Sequence, residues 1–100
     1  MITITRDQGV LRLQLQRPDK KNAITNAMYQ QMATALTEAN GDADIRVVLI
    51  SGSEGIFSAG NDLDEFLDHP PKPGEAPAFA FLNALNQLDK PLVAAIDGPA

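Results

Sequence analysis

Four consecutive apolar strand-formers, Val47-Val48-Leu49-Ile50, make up the most hydrophobic run in the chain. A continuous run of this kind has no polar side to offer to water. It predicts a strand from Arg46 to Ser51 that is covered on both faces, as in a parallel sheet. Parallel strands need crossovers, and the flanking sequence supplies them. Before the run, Met28, Met32, Ala35, Leu36 and Ala39 recur at helical spacing, with Thr25 placed to cap that helix and Gly41 to end it. After it, Ala78, Phe81, Leu82, Leu85 and Leu88 do the same within Glu75 to Leu88, and Leu92-Val93-Ala94-Ala95-Ile96 is a second buried-type strand. Ile2 to Arg6 and Val10 to Gln16 read as strands joined at Asp7-Gln8-Gly9, a hairpin with a three-residue connection. In the second of these, Leu11, Leu13 and Leu15 alternate with Arg12, Gln14 and Gln16, the pattern of a half-buried strand. Hairpin, helix, buried strand, turn, helix, buried strand is an α/β order with helical crossovers.

Composition narrows the function classes. The 100 residues suffice for one small domain at most. There is no cysteine and one histidine, His69, so neither a thiolate nor a multi-histidine metal site is expected, and no metal is assigned. A net charge of -5 argues against nucleic acid as a partner. The start, Met1-Ile2-Thr3-Ile4-Thr5, lacks the basic flank and apolar stretch of a signal peptide, and no apolar run has the length of a membrane span. These features predict a soluble cytoplasmic protein with no membrane partner. Asp97-Gly98-Pro99-Ala100 reads as a turn leading onward from a core strand, so the natural chain is expected to continue.

The chemistry is expected after the central strand, at Ile56-Phe57-Ser58-Ala59-Gly60-Asn61-Asp62-Leu63. Asp64-Glu65-Phe66-Leu67 can form a short helix behind it. Strand, glycine turn and helix start together aim backbone N–H groups into open space, and Gly60 permits a conformation closed to most residues. Such a site can hold a developing oxyanion. An ordinary loop ending in a helix N-cap has the same local pattern. Arg17, Lys20 and Lys21 form the one dense basic cluster of an acidic chain, readable either as a solvated loop or as an anion site. Gly52-Ser53-Glu54-Gly55 lacks the lysine and the Ser/Thr of a phosphate loop. His69 is expected in a solvated loop rich in proline. Glu54, Asp62, Asp64 and Glu65 are read as structural or solvated acids, the last three favouring a helix start.

Four segments carry a family likeness, in order and at compatible spacing. They are Arg17-Pro18 with Asn22-Ala23-Ile24, then Arg46 to Gly52, then Phe57 to Leu63, and Lys90 to Ala100. The chain resembles the N-terminal part of the crotonase, or enoyl-CoA hydratase/isomerase, superfamily. The resemblance implies an α/β spiral of β-β-α units, with residues 1–100 forming the N-terminal part of a single acyl-CoA domain. It implies assembly as trimers or dimers of trimers. It implies a coenzyme A thioester as substrate in fatty-acid metabolism, either hydration of a 2-enoyl-CoA or 3,2-enoyl-CoA isomerisation, with no cofactor beyond the coenzyme A of the substrate. Ser58 to Leu63 and Asp97 to Ala100 look closer to the isomerases.

By the same resemblance, one oxyanion donor is the N–H of the residue after the turn glycine, here Asn61. Lys21 and Ala23 match the early coenzyme A loop. Ala59, Gly60, Asp62 and Leu63 match the turn and the adenine and pantetheine path. Either Lys20 or Lys21 could meet a phosphate. The second oxyanion donor and the acid/base carboxylates of the family match nothing in these 100 residues. If the protein ends at Ala100, the alternative is a non-catalytic acyl-CoA-binding or assembly module.

Overall fold

The computed structural model describes residues 2–53, 55–60, 62 and 77–96. Its elements run β1 (Ile2–Asp7), β2 (Val10–Leu15), a 3-10 turn (Pro18–Lys20), α1 (Asn26–Asn40), β3 (Val47–Ser51), α2 (Pro77–Gln87) and β4 (Leu92–Ala95). The short helix expected after Leu63, the His69 loop, the Glu54 and Asn61 positions and the closing Asp97–Ala100 turn lie outside the described residues.

The four strands form one sheet in the order β1-β2-β3-β4. β1 and β2 are antiparallel, and β2, β3 and β4 run parallel, joined through α1 and α2. The hairpin connection is the two-residue pair Gln8-Gly9, shorter than expected, with φ of 49° and 84°. Positive φ at both central residues matches the right-handed twist of the strands it joins, so Asp7 is free to extend β1.

Register explains the core. Leu11 pairs with Val48 and Leu13 with Ile50, which sets the buried leucines of β2 and the buried residues of β3 on one face. Met28, Met32, Ala35, Leu36 and Ala39 of α1 close over that face, as their spacing predicts. Helix α1 starts where Thr25 Oγ1 accepts from the Met28 N–H at 3.1 Å. It stops at Gly41, which keeps a right-handed conformation (φ -90°, ψ 0°) and not the left-handed one usual for a terminal glycine.

Three expectations are corrected. Strand β4, expected to be buried, is exposed along its length, because it is an edge strand of the described sheet. Val47 and Leu49 are only half-buried, because among the described residues the helical cover lies on the other face of the sheet. The continuous apolar run reports that β3 can be buried twice; these residues bury it fully once. Phe81 and Leu85 of α2, and Leu88 just past its end, pack against the core, and Phe81 meets Tyr29 with ring centroids 5.7 Å apart. Leu82 instead points outward at 54% exposure, one turn from exposed Phe79. Its neighbour Phe81 already occupies the inward stripe, and successive helical residues are rotated by about 100°.

The ends of the two helices are tied by polar bonds. Asn40 Nδ2 donates to the Gln87 carbonyl at 3.0 Å, and its Oδ1 accepts from the Asp89 N–H at 2.9 Å. The Lys90 ammonium donates to the carbonyls of Asp42 and Ile45. The Asp44 N–H, and then the Arg6 guanidinium at 2.7 Å, hold the Asp42 carboxyl below its ordinary pKa. No described helix is long and apolar enough to cross a membrane.

Just past β3 the chain folds back so closely that a Cβ on Gly52 would lie 1.9 Å from the Ile56 carbonyl oxygen and 2.6 Å from Phe57 Cα. Both obstacles are backbone and cannot rotate away. Gly52→Ala is expected to cost about 1–3 kcal/mol of stability, the range for forced overpacking. Urea unfolding measures it, and an unchanged midpoint would show that the turn yields freely.

Candidate functional site

The glycine turn after β3 is built against the loop that follows β2. Ser53 and Ile56 exchange backbone hydrogen bonds of 3.2 and 3.1 Å, closing a tight reversal. The chain then runs alongside residues 21–24. The Ala59 N–H donates to Lys21 O at 3.0 Å, the Ile24 N–H to Gly60 O at 2.7 Å, and the Asp62 N–H to Ile24 O at 2.9 Å. Ser58, itself buried, donates its hydroxyl to Asn22 O and accepts from the Gly60 N–H, both at 2.9 Å.

Asn22 holds the two segments together. It is fully buried, with φ of 56°, and it follows Lys21 at φ 53°. Asparagine tolerates this left-handed region better than most residues; lysine there costs about 1–2 kcal/mol. The reversal lets both faces of the Asn22 amide work. Its Oδ1 accepts from the Arg17 N–H at 2.8 Å and from Ser53 Oγ at 3.2 Å. Its Nδ2 donates to Ile56 O at 2.7 Å and to Ser53 O at 3.3 Å. An asparagine side chain has two donor hydrogens and two acceptor lone pairs, and here all four are used.

The charges of the loop divide. Arg17 Nη1 reaches Asp62 Oδ2 at 2.5 Å and the Ala23 carbonyl at 3.2 Å, with side-chain exposures of 19% and 12% for the pair. Arg17 is therefore a partner within the fold and not a free member of an anion-binding cluster, which corrects that part of the basic-cluster reading. Lys20 and Lys21 stay exposed.

Of the residues singled out in the sequence, Lys21, Ala23, Ala59, Gly60 and Asp62 are brought together on this pair of segments. Asn61 and Leu63 lie outside the described residues. Gly60 is exposed at φ 88°, and nothing lies within 4 Å of where a Cβ would project, so glycine is required there by backbone conformation and not by space. Sequence reasoning gave no role to Asn22, Ser53 or Ser58. The bonds that tie Asn22 to Ser53, Ile56 and Ser58 span 31 to 36 residues, and no periodicity marks them. Beside the turn, at the carboxyl ends of the parallel strands, a cleft of about 300 Å³ is lined by Gln14, Ser51, Ser53, Gly55, Ile56 and Ala95. Ligands of open α/β sheets bind at this end.

Comparison with known proteins gives a consistent answer. The family model described as Enoyl-CoA hydratase/isomerase matches residues 5–100. Enoyl-CoA delta isomerase 2 of Homo sapiens is 34% identical, the alignment covering 99% of this chain and 27% of that protein. The 2,3-dehydroadipyl-CoA hydratase of Escherichia coli is 36% identical, covering 99% and 39% respectively. Among solved structures, Pseudomonas aeruginosa OdaA superposes with a TM-score of 0.94 at 48% identity, over 99% of this chain and 40% of that one. The chain thus spans between about a quarter and two fifths of the relatives it matches.

Replacing Asn22 tests the joint. Asn22→Ala leaves the Arg17 N–H and the Ser53 and Ile56 carbonyls without this partner and adds left-handed strain. It is expected to cost about 2–5 kcal/mol, since each unsatisfied buried group costs about 1–3 kcal/mol. Asn22→Gly removes the same bonds without the strain and should recover about 1 kcal/mol of that loss. Equal unfolding midpoints for the two variants would show that the left-handed conformation carries no cost.

Proposed function

This chain belongs to the enoyl-CoA hydratase/isomerase family, the crotonase superfamily, and from that premise we propose that it forms the oxyanion-binding part of an enzyme acting on acyl-CoA thioesters in fatty-acid metabolism. The reaction is hydration of a 2-enoyl-CoA or 3,2-isomerisation of an enoyl-CoA. Both put negative charge on the thioester carbonyl oxygen as the transition state forms. Backbone donors held in place beforehand stabilise that charge without reorganising.

The observation that carries this reading is the use of the amides around Gly60. The N–H groups of Ala59, Gly60 and Asp62 are already bonded to Lys21 O, Ser58 Oγ and Ile24 O. In this reading the donor is the Asn61 N–H, between two residues so fixed. No side chain among these 100 residues is assigned the acid/base step. Lys20 and Lys21, exposed on the adjoining loop, are the cations available to a coenzyme A phosphate, as point charges. Ala23, Ala59, Asp62 and Leu63 are assigned to the path of the coenzyme A moiety, Asp62 through its backbone because its carboxylate is occupied by Arg17. No cofactor beyond the substrate's own coenzyme A is invoked. Assembly of the whole protein as trimers or dimers of trimers, and a cytoplasmic location, go with this reading. Exposed Phe79, Leu82, Val93 and Ile96 are consistent with further protein covering them.

Turnover of 2-enoyl-CoA and 3-enoyl-CoA by the protein as its source makes it tests the proposal. Gly60→Val forces a β-branched residue to φ 88° and should cost about 100- to 1000-fold in kcat, the typical effect of a lost oxyanion donor. Near-normal turnover by that variant would sink the assignment. Asn61→Ala keeps the N–H and should lose little; a collapse there would point to the amide side chain instead.

A further inference from the structure

Arg17 and Asp62 are 45 residues apart, yet their side chains form an ion pair at 2.5 Å with exposures of only 19% and 12%. A pair this sheltered adds little net stability, because the cost of desolvating two charges offsets their attraction. An apolar pair of similar volume would hold the same segments together as firmly. What the charged pair supplies is direction. The same guanidinium nitrogen reaches the Ala23 carbonyl at 3.2 Å, and the Arg17 backbone is fixed from its other side by Asn22 Oδ1 at 2.8 Å. Arg17 follows the end of β2 by two residues, so its head group is referred to the sheet. Asp62, its partner, is the second residue after Gly60, and its own N–H is held by Ile24 O.

We propose that Arg17 and Asp62 are positioning residues: their ion pair sets the path of the backbone as it leaves Gly60, and with it the aim of the oxyanion donor. This rests on the function proposed above. Neither side chain touches substrate in this account. The pair acts through the turn, and a misplacement of about 1 Å at such a turn is enough to cost about 100-fold in rate.

The decisive variant removes both charges at once. Arg17→Met/Asp62→Leu should unfold near the wild-type midpoint, because the two charges of the pair are removed together. Its kcat should nonetheless fall about 10- to 100-fold with KM for the CoA thioester within about twofold, the signature of an interaction lost in the transition state. The backbone amide signals of Ala59 and Gly60 should shift in the same variant. Arg6→Met, which breaks the exposed Arg6–Asp42 pair far along the sheet, serves as control and should change neither.

Wild-type kcat in the double variant overturns the proposal, as do unmoved amide signals. Should the double variant fold poorly, Arg17→Lys carries the same test. One ammonium cannot reproduce the guanidinium's geometry toward both the Asp62 carboxylate and the Ala23 carbonyl, so kcat should fall by at least about threefold, and an unchanged kcat overturns the idea. If wild-type protein turns over no enoyl-CoA, the family activity fails, while the amide signals still decide whether the pair sets the turn.

Discussion

The site depends on one buried amide. Asn22 joins the strand end at Arg17, the reversal at Ser53–Ile56 and, through its own carbonyl, the Ser58 hydroxyl. Buried polar groups are costly unless every lone pair and hydrogen has a partner, and a fully satisfied network in a low-dielectric setting is stiff. Among the described residues no buried side-chain polar atom lacks a partner. The glycine turn is thus anchored by several short, directional bonds, in addition to the packing of Phe57 and Ile24 against the core.

That anchoring suits the proposed chemistry. An oxyanion donor is useful only if it points at the charge before the charge exists. Ala59 and Asp62 use their N–H groups to hold the turn against the neighbouring loop, and the Gly60 N–H closes the turn on Ser58 Oγ. The same amides that build the turn cannot also serve the substrate, so structure and function divide the backbone residue by residue. The loop charges divide in the same way. Arg17 is taken into the fold by Asp62, and Lys20 and Lys21 remain outside.

Behind the turn, the sheet supplies the rigid frame. The β2–β3 register brings Leu11, Leu13, Val48 and Ile50 under the methionines and leucine of α1, and α2 leans on α1 through Phe81 and Tyr29. Close packing of this sort has low compressibility, so the frame itself deforms little. The loops that carry the site leave the frame at its carboxyl-terminal edge, where parallel strands with helical crossovers place their connecting turns.

Much of this was legible in the chain itself. Period-two leucines in β2, the unbroken apolar run of β3 and the 3.6-residue stripe of α1 name the elements, their order and the inward face, because periodicity is a local consequence of backbone geometry. Gly60 was legible as a turn because the preference for glycine at positive φ is also local. The resemblance in four ordered segments pointed to the family. Local pattern misled where the answer lay in distant surroundings: Leu82 fits the helical stripe but faces outward, and Val47 and Leu49 look doubly buried but are not. Only the tertiary structure decided that Arg17 belongs to Asp62 and that Asn22, unremarkable in its loop, uses its whole amide on partners 5 to 34 residues away. Hydrogen bonds and ion pairs between segments depend on where the chain returns in space, and no periodicity in the sequence records that.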